Sequence, residues 1–320
     1  MRRRDLIFGL GGAAVARPLA ARAQEKGRIY RVGVLSIPPR GLRFYEGLRR
    51  LGFVVGQNLQ DDAAGYGLEP GQLARHAAEL VRAKVDLIYA NGPAPIRAAQ
   101  QATKTIPIVG VTDDMVREGL AVSMARPGGN TTGVSMLSTE LDGKRQELLI
   151  DLLPGVRRIA GIADSRTTLP SELQPLRDAA RTRGVDLIIE TVGTSAAILP
   201  AIDAAKAAGA AALNFLASPL LNAVRLSVYR HMAALRLPAM YQWPDYAREG
   251  GLAGYGPSIA YIYRELMPGL FAQLLRGTKP GDLPIEQPTK FELVINLKTA
   301  NALGLTVPPL LLAQADEVIQ

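Results

Sequence analysis

Short apolar runs that alternate with amphipathic runs constrain the fold of this chain more than any other feature of its sequence. In the first half, three apolar runs have the length and composition of strands, and the runs between them have the periodicity of helices. The strands are predicted at 30–36, 85–90 and 106–111, and the helices at 44–51, 72–83 and 96–103. Strand–helix units of this length predict a parallel sheet that is covered by helices on both faces.

The same alternation restarts in the second half of the chain. Strands are predicted at 158–164, 185–190 and 210–216, with helices at 173–183 and 198–208. Two similar α/β lobes account for this restart better than one sheet of about ten strands does. We therefore predict two doubly wound parallel-sheet lobes.

The chain is predicted to cross between these lobes more than once. Residues 126–135 combine an Arg-Pro-Gly-Gly turn with β-branched residues, which is the composition of a short crossing segment. A further helix at 261–275 and a strand at 290–296 follow the second lobe and predict a multi-stranded hinge. The expected division places 24–130 and about 257–285 in the first lobe, and about 131–256 and 286–320 in the second.

The amino terminus has the features of an export signal. Arginines at 2–4 precede a weakly apolar, glycine-rich stretch, and Ala21-Arg22-Ala23 supplies an Ala-x-Ala cleavage site. The paired arginines favour the twin-arginine route. We expect cleavage after Ala23 and a mature protein in the periplasm. An amphipathic or disordered amino terminus is the alternative, and a membrane anchor is disfavoured because the stretch is far shorter than the ~20 residues of a spanning helix.

The distribution of charge argues against a nucleic-acid partner. The formal net charge is +8, but the first 23 residues hold five arginines against one aspartate, which leaves +4 for the rest of the chain. That remainder includes no basic run, whereas a nucleic-acid-binding protein gathers its lysines and arginines into a patch. The chain has no cysteine, which excludes disulfides, thiolate catalysis, cysteine-ligated metals and a lipid anchor on an amino-terminal cysteine.

The sequence lacks the common motifs of catalysis. The two histidines, His76 and His231, lie inside predicted helices, and the spacing of His76 and Glu79 fits a solvated helix face better than a metal site. No Gly-x-Ser-x-Gly elbow, P-loop or dinucleotide-binding glycine motif follows a predicted strand. The acidic pairs at 61–62 and 113–114 place adjacent side chains on opposite sides of a strand end. We therefore expect no enzymatic activity, no cofactor and no metal.

Polar residues instead follow the carboxyl ends of the predicted strands, where open α/β sheets bind ligands. Free N–H groups at a helix start would hold a carboxylate, and Asp164 would meet an ammonium group. Capping of helices by Ser, Thr and Asp is the alternative for each polar loop. The aromatics of 241–246 either wall a cleft or form a small core cluster beneath a loop. The candidate ligand contacts are Ser36, Asn91, Gly92, Ala94 and Asp114 in the first lobe, and Asp164, Ser165, Phe215, Tyr241 and Trp243 in the second.

Several stretches carry a resemblance to a known family. They are 11–14 and 18–24 in the signal, 126–135, 250–256 and, most specifically, 287–309, which begins Gln-Pro-Thr-Lys-Phe-Glu-Leu-Val-Ile-Asn. On these stretches the chain resembles the ABC-transporter substrate-binding proteins of the tryptophan- and tyrosine-binding type. The resemblance covers nearly the whole chain. It implies a type I periplasmic-binding fold with three hinge crossings and a ligand cleft between the lobes.

Departures from the family pattern fall where ligand contacts are expected. The loop at 36–41 is shorter than the Ser- and Gly-rich loop of the family. Pro93 stands in place of a Thr or Ser and removes one N–H donor. Met115 replaces a proline, and 164–167 replaces an Asn-Pro loop. The resemblance therefore implies the scaffold and leaves the ligand open.

Together these observations predict a periplasmic solute-binding component of an ABC importer. A small organic solute would bind in the open cleft, and the lobes would close around it. The solute class is an amino acid or a related carboxylate, with an aromatic ligand as one option. The expected partner is an inner-membrane ABC permease, and the expected state is a monomer. A periplasmic subunit that presents its closed form to a membrane receptor is an alternative, and an enzyme on a similar scaffold is a weaker one.

Overall fold

The computed structural model describes residues 27–37 and 44–320, so the predicted export signal lies outside the described residues. The strands form two separate sheets, one of five strands and one of seven. Each sheet and the helices that pack on it make one lobe, which confirms the prediction of two α/β lobes. Within the described residues, no helix combines the length and the apolar composition that crossing a bilayer requires.

The first lobe contains a fully parallel sheet. Its strands are β1 (Tyr30–Ser36), β2 (Leu59–Asp61), β3 (Leu87–Asn91), β4 (Ile108–Thr112) and β5 (Thr131–Ser135). Its first three helices are α1 (Phe44–Arg50), α2 (Leu73–Arg82) and α3 (Pro93–Ala102). The sheet order is β2-β1-β3-β4-β5. One apolar core lies under α2 and α3 and another under α1, so both faces of the sheet are covered.

The second lobe alternates helices and strands in the same way. Its helices are α4 (Asp142–Leu152), α5 (Pro170–Thr182), α6 (Ile198–Ala207), α7 (Leu220–Leu235) and α8 (Pro244–Arg248). Its strands are β6 (Arg158–Asp164), β7 (Asp186–Val192), β8 (Leu213–Phe215), β9 (Ala239–Tyr241) and β10 (Ala253–Pro257). These five strands run parallel to one another.

The chain then returns to the first lobe and back again. A helical stretch made of α9 (Ile259–Tyr261), a π-helical turn (Ile262–Leu266) and α10 (Met267–Leu275) packs into the core under α1. The chain ends in the second lobe with β11 (Phe291–Asn296), α11 (Leu297–Leu303), α12 (Pro309–Gln314) and β12 (Glu317–Ile319). The second sheet has the order β12-β11-β10-β9-β8-β6-β7. Its one departure from a purely parallel sheet is that β11 runs antiparallel to β10.

The elements that the sequence predicted lie close to their expected positions, with the largest shifts near prolines and alanines, whereas α4 and α7 were not predicted. Helix α3 begins at Pro93, three residues earlier than predicted, because proline lacks an N–H that the first turn of a helix does not use. The strand predicted at 210–216 is reduced to Leu213–Phe215. Its first residues are alanines, which have a low preference for strands.

The first crossing between the lobes comes later than predicted. The expected boundary at 130 assigns β5 to the second lobe, but β5 pairs with β4 along its whole length and completes the first sheet. Gly133 permits this close pairing, since a Cβ atom there would overlap the carbonyl oxygen of Gly110. The boundary therefore moves beyond Ser135, because pairing between distant strands, which the local pattern does not contain, decides to which lobe a strand belongs.

Three segments connect the lobes. The first follows β5, the second joins β10 to α9, and the third leads from Glu286, which bridges to Val134 of the first sheet, to β11. The second and third run side by side, and the Ser258 N–H donates to the Lys290 carbonyl at 2.9 Å. In the first, Leu137 has a left-handed backbone with φ of 49°, which is uncommon for a residue with a side chain. The hinge is thus multi-stranded.

Candidate ligand-binding cleft

The carboxyl ends of the first-lobe strands form a row of polar residues. Ser36 lies beside Asn91 in the register of β1 and β3, and Thr112 lies beside Ser135 in the register of β4 and β5. Ser36, Thr112 and Ser135 are buried, whereas Asn91 is half-buried. Within the described part of the chain, the Asn91 amide has no hydrogen-bond partner, so it can both donate to and accept from a ligand.

The start of α3 offers few backbone donors. Gly92 precedes the helix with φ of 97°, a conformation that glycine adopts without strain. Pro93 and Pro95 have no N–H, and the Ile96 N–H donates back to the Gly92 carbonyl at 3.2 Å. In this turn, as the structure describes it, only the Ala94 N–H is left for a ligand. The site for a ligand carboxylate that was expected at this helix start therefore has a single backbone donor, the Ala94 N–H.

Asp114 serves mainly as a cap. Its Oδ1 accepts the backbone N–H groups two and three residues further along the chain, each at 3.0 Å. Asp113 instead fixes the first hinge segment, since its carboxylate accepts the Ser138 N–H at 2.6 Å and the Thr139 hydroxyl at 2.9 Å. The capping alternative therefore explains the contacts of Asp114, and its role as a ligand contact stays a prediction.

The sequence reasoning missed Glu118, whose half-buried carboxyl group lies near the same edge of the first sheet. Its Oε2 accepts the Thr112 hydroxyl at 2.6 Å. Burial raises the pKa of the Glu118 carboxyl, and the hydrogen bond from Thr112 acts in the opposite direction. A carboxyl with a raised pKa at the edge of a cleft is a candidate contact for a ligand.

Asp164 ends β6 with its side chain fully buried. Its carboxylate accepts the Ser218 hydroxyl at 2.8 Å, the Arg166 N–H at 2.9 Å, and the Arg166 Nε and Nη2 atoms at 3.2 Å each. These bonds satisfy a charge that would be costly to bury alone. The Asp164 carboxylate was predicted to bind an ammonium group, but it already has hydrogen-bond partners inside the protein. Ser165 beside it is exposed, and its N–H donates to Val192.

Two loops of the second lobe are fastened together by a buried glutamine. The Gln242 Oε1 accepts the Ser218 N–H at 2.7 Å, and the Gln242 Nε2 donates to the Ser218 carbonyl at 2.6 Å. Because Ser218 also donates to Asp164, the loops after β6, β8 and β9 form one hydrogen-bonded unit. This unit lies at the carboxyl ends of the second-lobe strands, where a ligand is expected, and we call it the floor of the predicted cleft.

Most aromatics predicted to wall the cleft lie in the core. Phe215 and Tyr241 are each 2% exposed, and their rings stack with centroids 5.1 Å apart. Tyr229 and Tyr246 pack edge-on against Tyr241, and burial raises the pKa of the Tyr241 hydroxyl. The core-cluster alternative therefore describes Phe215 and Tyr241. Trp243 is half-buried at the start of α8, where it packs against the same core and keeps part of its side chain exposed.

A buried ion pair connects the hinge to the cleft floor. Arg145 is completely buried and donates to Asp142 Oδ1 at 2.5 Å, to the Ser138 carbonyl at 2.5 Å and to the Tyr255 carbonyl at 3.1 Å. The second-lobe floor joins this pair, because the Ala217 N–H donates to Asp142 Oδ1 at 3.0 Å. Burial raises the pKa of the Asp142 carboxyl although Arg145 opposes the shift. The first hinge segment, strand β10 and one cleft loop thus share one support.

The two lobes contact each other across the cleft. Arg117, in the loop after β4, forms an ion pair with Glu172 in the first turn of α5. The same guanidinium contacts Asp113 at 3.3 Å and the Thr139 hydroxyl at 3.2 Å. The loops that follow the strands of the two sheets therefore face each other.

The histidines pair with carboxylates on helix surfaces. His76 Nε2 lies 2.5 Å from Asp62 and its Nδ1 lies 3.3 Å from Glu79, while His231 Nε2 lies 2.7 Å from Asp203. Among residues 27–37 and 44–320, no three His, Asp or Glu side chains have the arrangement of a metal site.

Comparison with known proteins decides the family. Residues 41–319 match the model of the ABC transporter substrate binding protein family. The chain belongs to this family. The substrate-binding protein is 29% identical over 271 residues to the tyrosine-binding protein of Clostridioides difficile (strain R20291), an alignment that covers 82% of this chain and 75% of that relative.

Solved structures agree with this assignment. A conserved domain protein of Vibrio cholerae has a TM-score of 0.79 at 26% identity and covers 91% of this chain and 100% of its own. The ABC domain in complex with L-Trp from Streptococcus pneumoniae has a TM-score of 0.76 at 21% identity, with the same coverage. The resemblance seen in the sequence is confirmed, and so is the type I periplasmic-binding fold.

The substrate-binding protein thus brings some predicted contacts together and not others. Ser36, Asn91 and Ala94 lie at one edge of the first lobe, and Asp164 and Trp243 lie at the ends of strands in the second. The sequence reasoning missed the residues that organise these loops, namely Arg166, Ser218 and Gln242. An arginine two residues after a strand-ending aspartate was the signal that could have pointed to Arg166.

Proposed function

We propose that this substrate-binding protein captures an aromatic amino acid in the cleft between its lobes and delivers it to an ABC permease. The observation that carries the proposal is the opposition of two sets of strand-end loops, joined across the cleft by Arg117 and Glu172. The half-buried Trp243 offers an aromatic surface, and the Asn91 amide offers hydrogen bonds. The ligand class is supported by the relative named for tyrosine binding and by the neighbour in complex with L-Trp.

Thermal unfolding of the purified protein with added ligands tests this proposal. A ligand that binds only the folded state at 100 times its dissociation constant adds about 2.7 kcal/mol to the free energy of unfolding. We expect a rise of the melting temperature with L-tryptophan or L-tyrosine, none with L-leucine or D-arabinose, and recovery of the ligand unchanged. A shift with leucine or arabinose alone would contradict the aromatic class, and conversion of the ligand would contradict simple capture.

We infer that the protein acts in the periplasm after twin-arginine export. The support is the arginine-led amino terminus with its Ala-x-Ala site. Mass spectrometry of the protein from a periplasmic fraction should give a chain that begins at Gln24. A chain that keeps Met1 and stays in the cytoplasm would contradict export.

A further inference from the structure

Arg166 is held in one orientation by a carboxylate that has no exposure to solvent. Its Nε and Nη2 atoms bind the two oxygens of Asp164, each at 3.2 Å, which is the bidentate fork of an arginine–carboxylate pair. Ser218 holds the same carboxylate from the other side at 2.8 Å. The guanidinium is therefore fixed before any ligand arrives, so binding costs less side-chain entropy than it would with a free arginine.

The outer face of this guanidinium is open. The Arg166 side chain is 56% exposed although its partner is fully buried. Within 27–37 and 44–320, the Nη1 atom and the second N–H of Nη2 have no acceptor. Arginine presents its donors as a rigid fork that matches the geometry of a carboxylate. The open face is thus a second fork, directed away from Asp164.

The loop that carries Arg166 faces the first lobe. Glu172, six residues further along, contacts Arg117 of the first lobe across the cleft. The backbone of this loop cannot bind an anion, because all five N–H groups of residues 165–169 already donate to acceptors within the second lobe. At the strand ends of the first lobe, the start of α3 keeps only the Ala94 N–H among its backbone donors. The Arg166 guanidinium is therefore the charged donor that this loop can offer to an anionic group.

We propose that Arg166, positioned by Asp164 and Ser218, binds the anionic group of the ligand, which is the carboxylate of an amino acid or of a related aromatic acid. The inference rests on the proposed capture of an aromatic amino acid and adds the group that the second lobe recognises. Arg166 is then the residue that selects acids over neutral analogues. Asp164 acts through Arg166 and does not contact the ligand.

Calorimetric titration with three matched ligands tests the role of Arg166. L-Tryptophan carries both charged groups, L-tryptophanamide lacks the carboxylate, and indole-3-propionate lacks the ammonium group. In the wild-type protein we expect both acids to bind more tightly than the amide. Arg166→Gln should weaken binding of the two acids by about 10- to 100-fold and leave binding of the amide unchanged. Arg177→Gln, which removes an exposed arginine from α5 of the same lobe, serves as the matched control and should change neither.

The single substitution leaves Asp164 buried without its cation, which can prevent folding. The double variant Asp164→Asn with Arg166→Gln removes both charges, and its folding is checked by circular dichroism. We expect it to lose the preference for acids as well.

Wild-type preference for acids in either folded variant would overturn the inference and leave the proposed function standing. If the wild type binds indole-3-propionate but not L-tryptophan, and Arg166→Gln loses that binding, the amino-acid proposal fails while the role of Arg166 holds. Binding of none of the three ligands overturns both.

Discussion

Single carboxyl groups around the cleft differ in how their burial is offset. Asp164 has four internal hydrogen bonds, two of them from a guanidinium. Asp142 has a buried arginine and a backbone N–H. Glu118 has a hydroxyl donor, Thr112, and burial raises the pKa of its carboxyl. Burial raises the pKa of Asp142 as well, but Glu118 lies outside the Asp142–Arg145 ion pair, so its charge can be removed without breaking that pair.

The unfolding free energy should fall with rising pH in a way that depends on Glu118. The folded protein holds the Glu118 proton more tightly than the unfolded chain does, so the fold carries no penalty below the unfolded pKa, which is about 4.3. The penalty grows as pH rises from there through the raised pKa of the folded state. The stability of Glu118→Gln relative to wild type should therefore increase between about pH 4 and pH 7, as measured by urea unfolding.

Thr112→Val should change the pH dependence of stability in the opposite direction from Glu118→Gln. The Thr112 hydroxyl lowers the pKa of Glu118, so its removal should raise that pKa further and enlarge the loss of stability with rising pH. A stability difference between Glu118→Gln and wild type that does not change with pH would contradict the role assigned to burial.

Among the elements, β10 depends on glycines for its position beside the cleft floor. A Cβ atom at Gly254 would overlap the carbonyl oxygen of Trp243, and one at Gly256 would overlap that of Gln242. The segment that follows β9 can therefore lie against β10 only because these side chains are absent. That segment carries Gln242, which fastens the loop after β8. The glycines thus support the cleft as well as the sheet.

Gly256→Ala should displace the Gln242 segment. Overpacking of this kind costs about 1–3 kcal/mol of unfolding free energy, and the displaced glutamine should also weaken L-tryptophan binding. Gly269→Ala in α10 is the matched control, because a Cβ atom there meets open space and alanine favours a helix over glycine. Denaturant unfolding should show a loss for the first variant and no loss for the second. Equal stability of the two variants would contradict the close-approach argument.

For the whole molecule, the relative position of the lobes depends on few contacts. Two supports, the half-buried Asp113 and the buried Asp142–Arg145 pair, hold the hinge. Across the cleft, Arg117 and Glu172 form a half-exposed ion pair between the lobes. Ion pairs of this exposure contribute about 0.2–1 kcal/mol. The pair can therefore bias the lobes toward contact without locking them, as capture and release require.

Glu172→Gln should shift the lobes apart. Loss of about 0.2–1 kcal/mol from the contacting arrangement predicts a dissociation constant for L-tryptophan about 1.4- to 5-fold higher, and a larger radius of gyration without ligand by small-angle X-ray scattering. Glu147→Gln removes a similar ion pair, with Lys144, inside the second lobe and should change neither. Wild-type scattering and affinity in Glu172→Gln would show that the pair does not influence closure.

Sequence patterns determined much of this protein. The alternation of strand and helix periods, the restart at 158 and the multiple crossings follow from local residue patterns, which report the face that each element buries. The polar strand ends were found for the same reason, since a strand end is a local feature. The resemblance at 287–309 gave the family, and with it the general class of function.

Only the tertiary structure decided the pairings and the burial at the site. That β5 joins the first sheet, that Phe215 and Tyr241 lie in the core, and that Asp164 fixes Arg166 all depend on partners distant in the chain or on backbone direction. Such contacts form when segments far apart in sequence pack together, and local periodicity contains no information on which segments will meet. The sequence therefore determined the elements and the scaffold, and packing determined which side chains remain available to a ligand.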